Sequence, residues 1–478
     1  MCLAVRVSGM QRAADNPAPT AGAATAWWRT LACGGPGDWL TLAAAGFLAG
    51  FYLLPGAWWH GGVVFLGVVP ALIWHRNRGR PDHGGLIGAT SVWLAICLAI
   101  AIAQHPPPAT ADGWRLVAEA VVGLLAVMVV VVAMAAIARH GGSLRVCQRW
   151  CVTAALIAAV TSLVIFYGVN AGTSFGERLR NWFVYGGQHP VPTAITFGFA
   201  AVWAGLGLAR SGTRVSAWRW GLVLFVLNMA VAFCQSRGAS LAMLVATVLL
   251  AVVVRRKRAA LPLLWVVLAL VAFHFLSQHW AERSTRAREF PGRMVVPAAP
   301  PSTRVRLPDN GLNHWLERGD AGRINLYQLL LRRIDDPSQR FFGKGWWHEH
   351  SAAAEVGWPA THPHSVLVAT HYHGGQIAVV GLFFLGALVL SRGFEVWRGG
   401  LGLDALVLFV YGSTALLFDG EGLTTLFTEP RFESLVFWVP VGLTAGRYAA
   451  LQMAGQPAAA TASEAGVRPP DAITSAAS

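Results

Sequence analysis

Apolar runs close to the length that crosses a lipid bilayer recur from residue 39 to residue 446, joined by polar connections that are short except for 277–373. A backbone in lipid has no water to satisfy its N–H and C=O groups, so such runs are restricted to helices that make their own hydrogen bonds. Twelve runs stand out, near 39–55, 61–74, 85–103, 115–137, 152–169, 192–209, 220–234, 239–254, 261–276, 374–391, 403–417 and 433–446. Several fall short of about 20 residues, which implies tilted or ragged spans. Composition agrees: 55% of the residues are hydrophobic and only 13% are charged, against about 25% in an average protein. The expected fold class is an all-α polytopic membrane protein with about 12 transmembrane helices and one long loop, 277–373.

A net charge of +14 raises the possibility of a nucleic-acid partner. The arginines explain it otherwise, because they cluster in alternate connections as the positive-inside rule requires. With the N-terminus inside, the even-numbered connections carry Arg76, Arg78 and Arg80; Arg139, Arg145 and Arg149; Arg210, Arg214 and Arg219; Arg255, Arg256, Lys257 and Arg258; Arg392 and Arg398. The opposite connections are poor in arginine or acidic. Both termini then lie inside and the 277–373 loop lies outside. Residues 1–37 read as a flexible segment rather than a signal peptide. The chain after 446, rich in Ala, Thr, Ser and Pro, reads as a disordered tail. Six scattered cysteines give no disulfide framework.

Within the exterior loop, the first half, to about residue 308, reads as irregular, and helix signals begin at Asp320, a plausible N-cap. Ile324, Tyr327, Leu330, Leu331 and Ile334 form an apolar stripe at helical spacing, with Arg323 and Arg333 off it and Pro337 as the stop. Six of the fifteen histidines fall between 348 and 373: His348, His350, His362, His364, His371 and His373. Three readings are open for them: a zinc site built on His-x-His pairs, a cluster at the membrane interface, or a single histidine whose ordinary pKa near 6.5 suits proton transfer. Arg237, in Ser236-Arg237-Gly238-Ala239, sits on the side where the positive-inside rule disfavours arginine. It either snorkels to the interface or offers a forked donor to phosphate. Arg323 is either part of a solvated helix face or an anion ligand at a helix N-terminus. Asp419, Glu421 and Glu429, with Arg431 beside them, are rival acids on the same side, ranked below His364.

Four stretches in this order resemble the O-antigen ligase and polymerase family of bacterial envelope glycan transferases. They are Gly186-Gly187-Gln188-His189-Pro190-Val191-Pro192-Thr193; Ser236-Arg237-Gly238-Ala239; Gly322-Arg323-Ile324 followed by Phe342-Gly343-Lys344-Gly345; and Thr361-His362-Pro363-His364-Ser365-Val366-Leu367 followed by Gly374-Gly375 and Gly381-Leu382. Each is weak alone, and together they cover roughly residues 170–390. Ser365 stands where the family usually has Asn. The resemblance implies a GT-C-like arrangement in a bacterial inner membrane, with the active site on the periplasmic face. It implies Arg237 and Arg323 as ligands of the pyrophosphate of an undecaprenyl-linked glycan donor, and His364 as general base on the acceptor hydroxyl. His362, Ser236, Arg178 and Arg180 are expected as accessory residues. It further implies inversion at the sugar, no metal and no cofactor, and lipid A–core as acceptor. A polymerase of the same family and a protein O-oligosaccharyltransferase are the nearest alternatives, and a polysaccharide transporter or flippase is the alternative from another class.

The basic connections generate a direct topological expectation. Reporter fusions at Asp309 and at Lys257 should report opposite sides of the membrane; a cytoplasmic signal from both would overturn the orientation.

Overall fold

The computed structural model describes residues 36–76, 84–104, 111–169, 178–184, 190–254, 260–288, 323–334, 336–345, 363–420, 423 and 432–455. Among them there are helices and no strand. In chain order these are α1 (Pro36–Leu53), α2 (Ala57–Val63), α3 (Val69–Arg76), α4 (Gly84–Gln104), α5 (Ala111–Ala138), α6 (Gly141–Leu163), α7 (Pro190–Ala209), α8 (Arg214–Cys234), α9 (Arg237–Val254), α10 (Leu261–Arg288), α11 (Arg323–Arg332), α12 (Pro337–Phe342), α13 (Val366–Arg398), α14 (Asp404–Asp419) and α15 (Phe432–Gly455). A π-helical turn, Val64–Val68, joins α2 to α3, and another, Val164–Val169, extends α6.

Each of the twelve apolar segments falls on a helix, with α2 and α3 counted as one rod. Among the described residues, seven helices are long and apolar enough to cross a membrane: α5, α6, α7, α8, α9, α13 and α15. Shorter apolar stretches lie in α1, α2–α3, α4 and α10, and α14 has 16 residues. Large apolar side chains stand outside the bundle, with Leu66 83%, Val380 67%, Phe384 66% and Phe275 64% exposed. In water such exposure would drive association; against lipid tails it is the solvated surface.

The centre is α7. All its residues except Pro192 are buried, as a helix apolar on every side requires. Neighbouring helices bond to its carbonyls: Tyr52 to Thr196 at 2.8 Å, Tyr411 to Ile195 at 2.8 Å and the Gln148 amide to Trp203 at 2.6 Å. Close crossings rely on missing side chains. On α15, Gly442 and Gly446 lie one turn apart against Val131 and Ala135 of α5, where an added Cβ would run into backbone carbonyls. This is the small-residue spacing by which membrane helices approach.

Several boundaries differ from expectation. α10 continues as helix to Arg288, so the start of the 277–373 segment is not irregular. α6 begins at Gly141, which places Arg145 and Arg149 on a helix rather than in a loop. α15 runs on to Gly455, beyond the expected start of a disordered tail. Packing explains the last point: Tyr448 takes a 2.7 Å hydrogen bond from Arg392, whose guanidinium lies 4.5 Å from the Tyr448 ring centroid. In α11 the buried stripe is Leu326, Leu330 and Ile334, while Ile324 and Leu331 are 55% and 44% exposed. Pro337 does not stop α11, which ends at Arg332; it opens α12 behind the N-cap Asp336. Asp320 lies outside the described residues.

Contacts at opposite ends of α14 define two ends of the bundle. One carries the α8–α9 corner, the C-terminus of α14, and α11 with α12. The other carries the C-terminus of α7 and the N-termini of α6 and α14. The glycine crossing is open to test by Gly446→Val. Overpacking against the Ala135 carbonyl should cost about 1–3 kcal/mol, read as a lower unfolding temperature in detergent. Gly46→Ala, with nothing within 4 Å of the new Cβ, should leave that temperature unchanged or raise it.

Candidate functional site

The site grows from a sharp corner. α8 ends at Gln235, held in the left-handed region at φ 52°. The carbonyls at a helix C-terminus need outside donors, and Arg178 supplies them: its Nε donates to Cys234 O at 2.7 Å and its Nη2 to Gln235 O at 3.3 Å. Arg178 therefore positions the corner. Arg180, two residues on, is exposed.

Ser236 occupies the N-cap of α9. Its hydroxyl accepts from the Ala239 N–H at 3.4 Å and donates to Asp419 Oδ2 at 2.8 Å. Gly238 leaves room for that carboxylate, since a Cβ there would meet it. Arg237 is the first residue of α9 and half-buried. Asp419, the last residue of α14, is only 1% exposed, and its other oxygen binds Arg323, the first residue of α11. Arg323 also donates to the Phe418 carbonyl. The guanidinium thus joins a carboxylate and a free helix-end carbonyl, while its side chain stays 25% exposed.

α11 is seated by Leu326, Leu330 and Ile334, which pack on Tyr372 of α13. One turn after Arg323, the Tyr327 hydroxyl donates to the His364 carbonyl at 3.2 Å. His364 itself has φ 57°, a conformation uncommon for residues other than glycine and held where surrounding contacts over-determine it. Ser365 follows as the N-cap of α13, buried and with no side-chain cap bond. One expected anion ligand, Arg323, is therefore linked to the residue beside the other and to the backbone of the expected base in one chain of contacts: Ser236, Asp419, Arg323, then along α11 to Tyr327 and the His364 carbonyl.

α13 breaks at Gly375, which has φ 64° and ψ −165°. The break frees carbonyls that the 343–345 turn satisfies: Lys344 N–H donates to Tyr372 O at 2.8 Å and Gly345 N–H to His373 O at 2.9 Å. His373 Nδ1 lies 3.0 Å from Gly345 O, and because a carbonyl only accepts, that ring nitrogen carries the proton. Gly343 and Gly375 meet so closely that a Cβ on either would enter the other segment's backbone. Nearby, Asp336 caps α12 and is held below the usual carboxylate range by the Ser338 N–H and hydroxyl.

Beside this end lies an apolar cavity of about 290 Å³ lined by Leu163, Tyr167, Phe225, Met229, Phe233 and Leu276 among others. Its lining on α8 spans Phe225 to Phe233, about 12 Å of helix, and reaches the residue before Cys234.

His362, His348, His350, Glu421, Glu429 and Arg431 lie outside the described residues. Among the described residues no group of three His, Cys, Asp or Glu side chains converges as a metal site would require. Sequence reasoning ranked Asp419 as a rival acid and counted Tyr327 only as part of an apolar stripe; their linking roles were missed. The available signal for Asp419 was its position, a carboxylate closing an apolar run on the side of Arg237 and Arg323.

The Asp419–Arg323 contact should show as coupling. Asp419→Ala leaves a partly buried guanidinium without its counter-charge, and Arg323→Ala leaves a buried carboxylate with only Ser236. The double variant should lose less stability than the sum of the two singles, by about 1 kcal/mol or more in unfolding measurements; strict additivity would mean that the pair does not interact. A scan against protein-family models and a search of curated proteins return no match to this chain.

Proposed function

We propose that the chain is a membrane glycosyltransferase that moves a glycan from undecaprenyl pyrophosphate to a hydroxyl acceptor, at the face of the membrane outside the cytoplasm. The observation that carries this reading is the contact chain from Ser236 through Asp419 and Arg323 to Tyr327 and His364. It joins three motifs that are far apart in sequence and that resemble those of O-antigen ligases.

In this mechanism Arg237 and Arg323 bind the pyrophosphate. Asp419 holds the Arg323 fork in place beforehand, so that less freedom is lost on binding. The acceptor oxygen attacks the anomeric carbon as the bond to the phosphate oxygen breaks. The pyrophosphate leaves with the electron pair, its charge held by the guanidinium groups, and the acceptor proton passes to the His364 imidazole. Attack opposite the leaving group inverts the configuration at that carbon. The apolar cavity along α8 suits the polyprenyl chain of the donor, because its lining is apolar and it ends beside the corner that bears Arg237. The proposed acceptor is lipid A–core; a polymerase using the growing glycan as acceptor would need the same residues.

The test is transfer in purified membranes with single variants at wild-type protein levels. Arg237→Ala and Arg323→Ala should abolish transfer, and Lys at either position should restore only part of it, since a point charge does not reproduce a fork. His364→Ala should lose about 10² to 10⁴ in rate. Wild-type activity should fall as pH drops through the range where an imidazole protonates, because only the neutral ring accepts the proton. Near-normal transfer by His364→Ala, or loss on EDTA restored by zinc, would overturn the mechanism. In a deletion strain, core without polymer identifies a ligase, and core with one repeat identifies a polymerase.

A further inference from the structure

At the end of the bundle opposite the candidate site, charged side chains from three helices and from the residue after α7 lie together. Asp404 opens α14 and is 5% exposed. Arg210, just past α7, reaches it with Nη2 2.5 Å from Oδ1. Arg447 of α15 lies within electrostatic range of Asp404, Arg210 and Arg145 of α6. Its Nη2 lies 3.7 Å from where a Cβ of Gly141 would stand, so the guanidinium lies against the first turn of α6.

These four groups carry three positive charges and one negative charge, and that carboxylate is already engaged by Arg210. The surplus is about two positive charges. The first turn of α6 adds to it. Gly141-Gly142-Ser143 open a 23-residue helix whose N-cap, His140, gives no side-chain cap bond, and a Cβ on Gly142 would find nothing within 4 Å. A helix start with exposed N–H groups favours an anion. Depth is marked independently. Trp39, Trp74 and Trp218 lie at this end of their helices and are 56%, 58% and 68% exposed, as in the aromatic belt at the level of lipid headgroups.

We propose that Arg145, Arg210 and Arg447, with the first turn of α6, bind a phosphate-bearing anion of the kind that an acidic phospholipid headgroup presents. The surplus of about two charges matches a headgroup with two phosphodiesters better than one with a single phosphodiester. Guanidinium forks on phosphate oxygens supply the recognition, and the charged site stands at the level where headgroups lie. The site is independent of the glycan-transfer reading, since it shares no residue with it.

The test uses the full chain purified in detergent, with lipid binding read by native mass spectrometry and by the unfolding temperature. The probes are cardiolipin, phosphatidylglycerol, phosphatidylethanolamine and inorganic phosphate. Retention should fall in the order cardiolipin, phosphatidylglycerol, phosphatidylethanolamine. Arg145→Gln and Arg447→Gln should each weaken cardiolipin binding about fivefold. Arg398→Gln, at the same end but stacked on Phe394 at 4.5 Å, should leave it unchanged. Stabilisation by millimolar inorganic phosphate would identify the free anion as sufficient, whereas stabilisation by lipid alone would identify the headgroup with its chains; either supports a phosphate site. Equal binding of phosphatidylethanolamine, or an equal loss from Arg398→Gln, would overturn the proposal. So would cardiolipin binding that is unchanged in both Arg145→Gln and Arg447→Gln.

Discussion

The Asp419 carboxylate holds the candidate site together. It is buried at the end of α14, where the helix dipole disfavours a negative charge, and it is stabilised by groups from two other parts of the chain. Ser236 donates from the N-cap of α9, and Arg323 donates from the start of α11. A buried charge without such partners would cost several kcal/mol. The same contact that makes Asp419 tolerable also brings the α8–α9 corner and α11 to one place. Arg323 then sets where α11 begins, and the turn from Arg323 to Tyr327 sets where His364 is held.

The second constraint is the break at Gly375. Interrupting a helix leaves carbonyls that must find donors, and here the 343–345 turn supplies them. The turn and the break are locked by two glycines, each of which lacks the side chain that would separate them. The short helix from Val366 to the break packs with α11 through Tyr372, while the rest of α13 joins the bundle. α11, α12 and the first turns of α13 therefore form one unit, attached to the bundle through Gly375 on one side and through Asp419 on the other.

Much of this was legible in sequence, and the limits have physical causes. Helix positions followed from apolar length, because lipid leaves the backbone no other choice. Helix ends did not: Arg145 and Arg149 read as loop residues, yet a helix can carry them at the surface, and α15 outlasts its apolar run because Tyr448 finds Arg392. In α11 the expected stripe held Leu330 and Ile334, which are buried, but it took in the exposed Ile324 and Leu331 and left out the buried Leu326. The arginines and His364 were singled out through motifs, which carry residue identity. Asp419 and Tyr327 act through contacts to distant segments, Asp419 to Ser236 183 positions away and Tyr327 to His364 37 positions away. No local pattern encodes a pairing of that kind.

The two ends of α14 show why one acidic residue is structural and the other suits a site. Asp404 at the N-terminus gains from the helix dipole as well as from Arg210, so its charge is favoured there even before a partner is counted. Asp419 at the C-terminus loses by the same dipole and depends on Ser236 and Arg323. Arg323 stays 25% exposed, and among the described residues two of its five N–H groups are engaged, by Asp419 and the Phe418 carbonyl. A dianionic ligand arriving there meets an arginine that is already oriented, and it also meets the repulsion of Asp419 behind it. On the proposed reading, binding is then strongest for a group whose oxygens reach Arg323 and Arg237 together. A second guanidinium offsets the carboxylate in a way that one alone does not. On the proposed reading, this is why the site needs two arginines for one pyrophosphate.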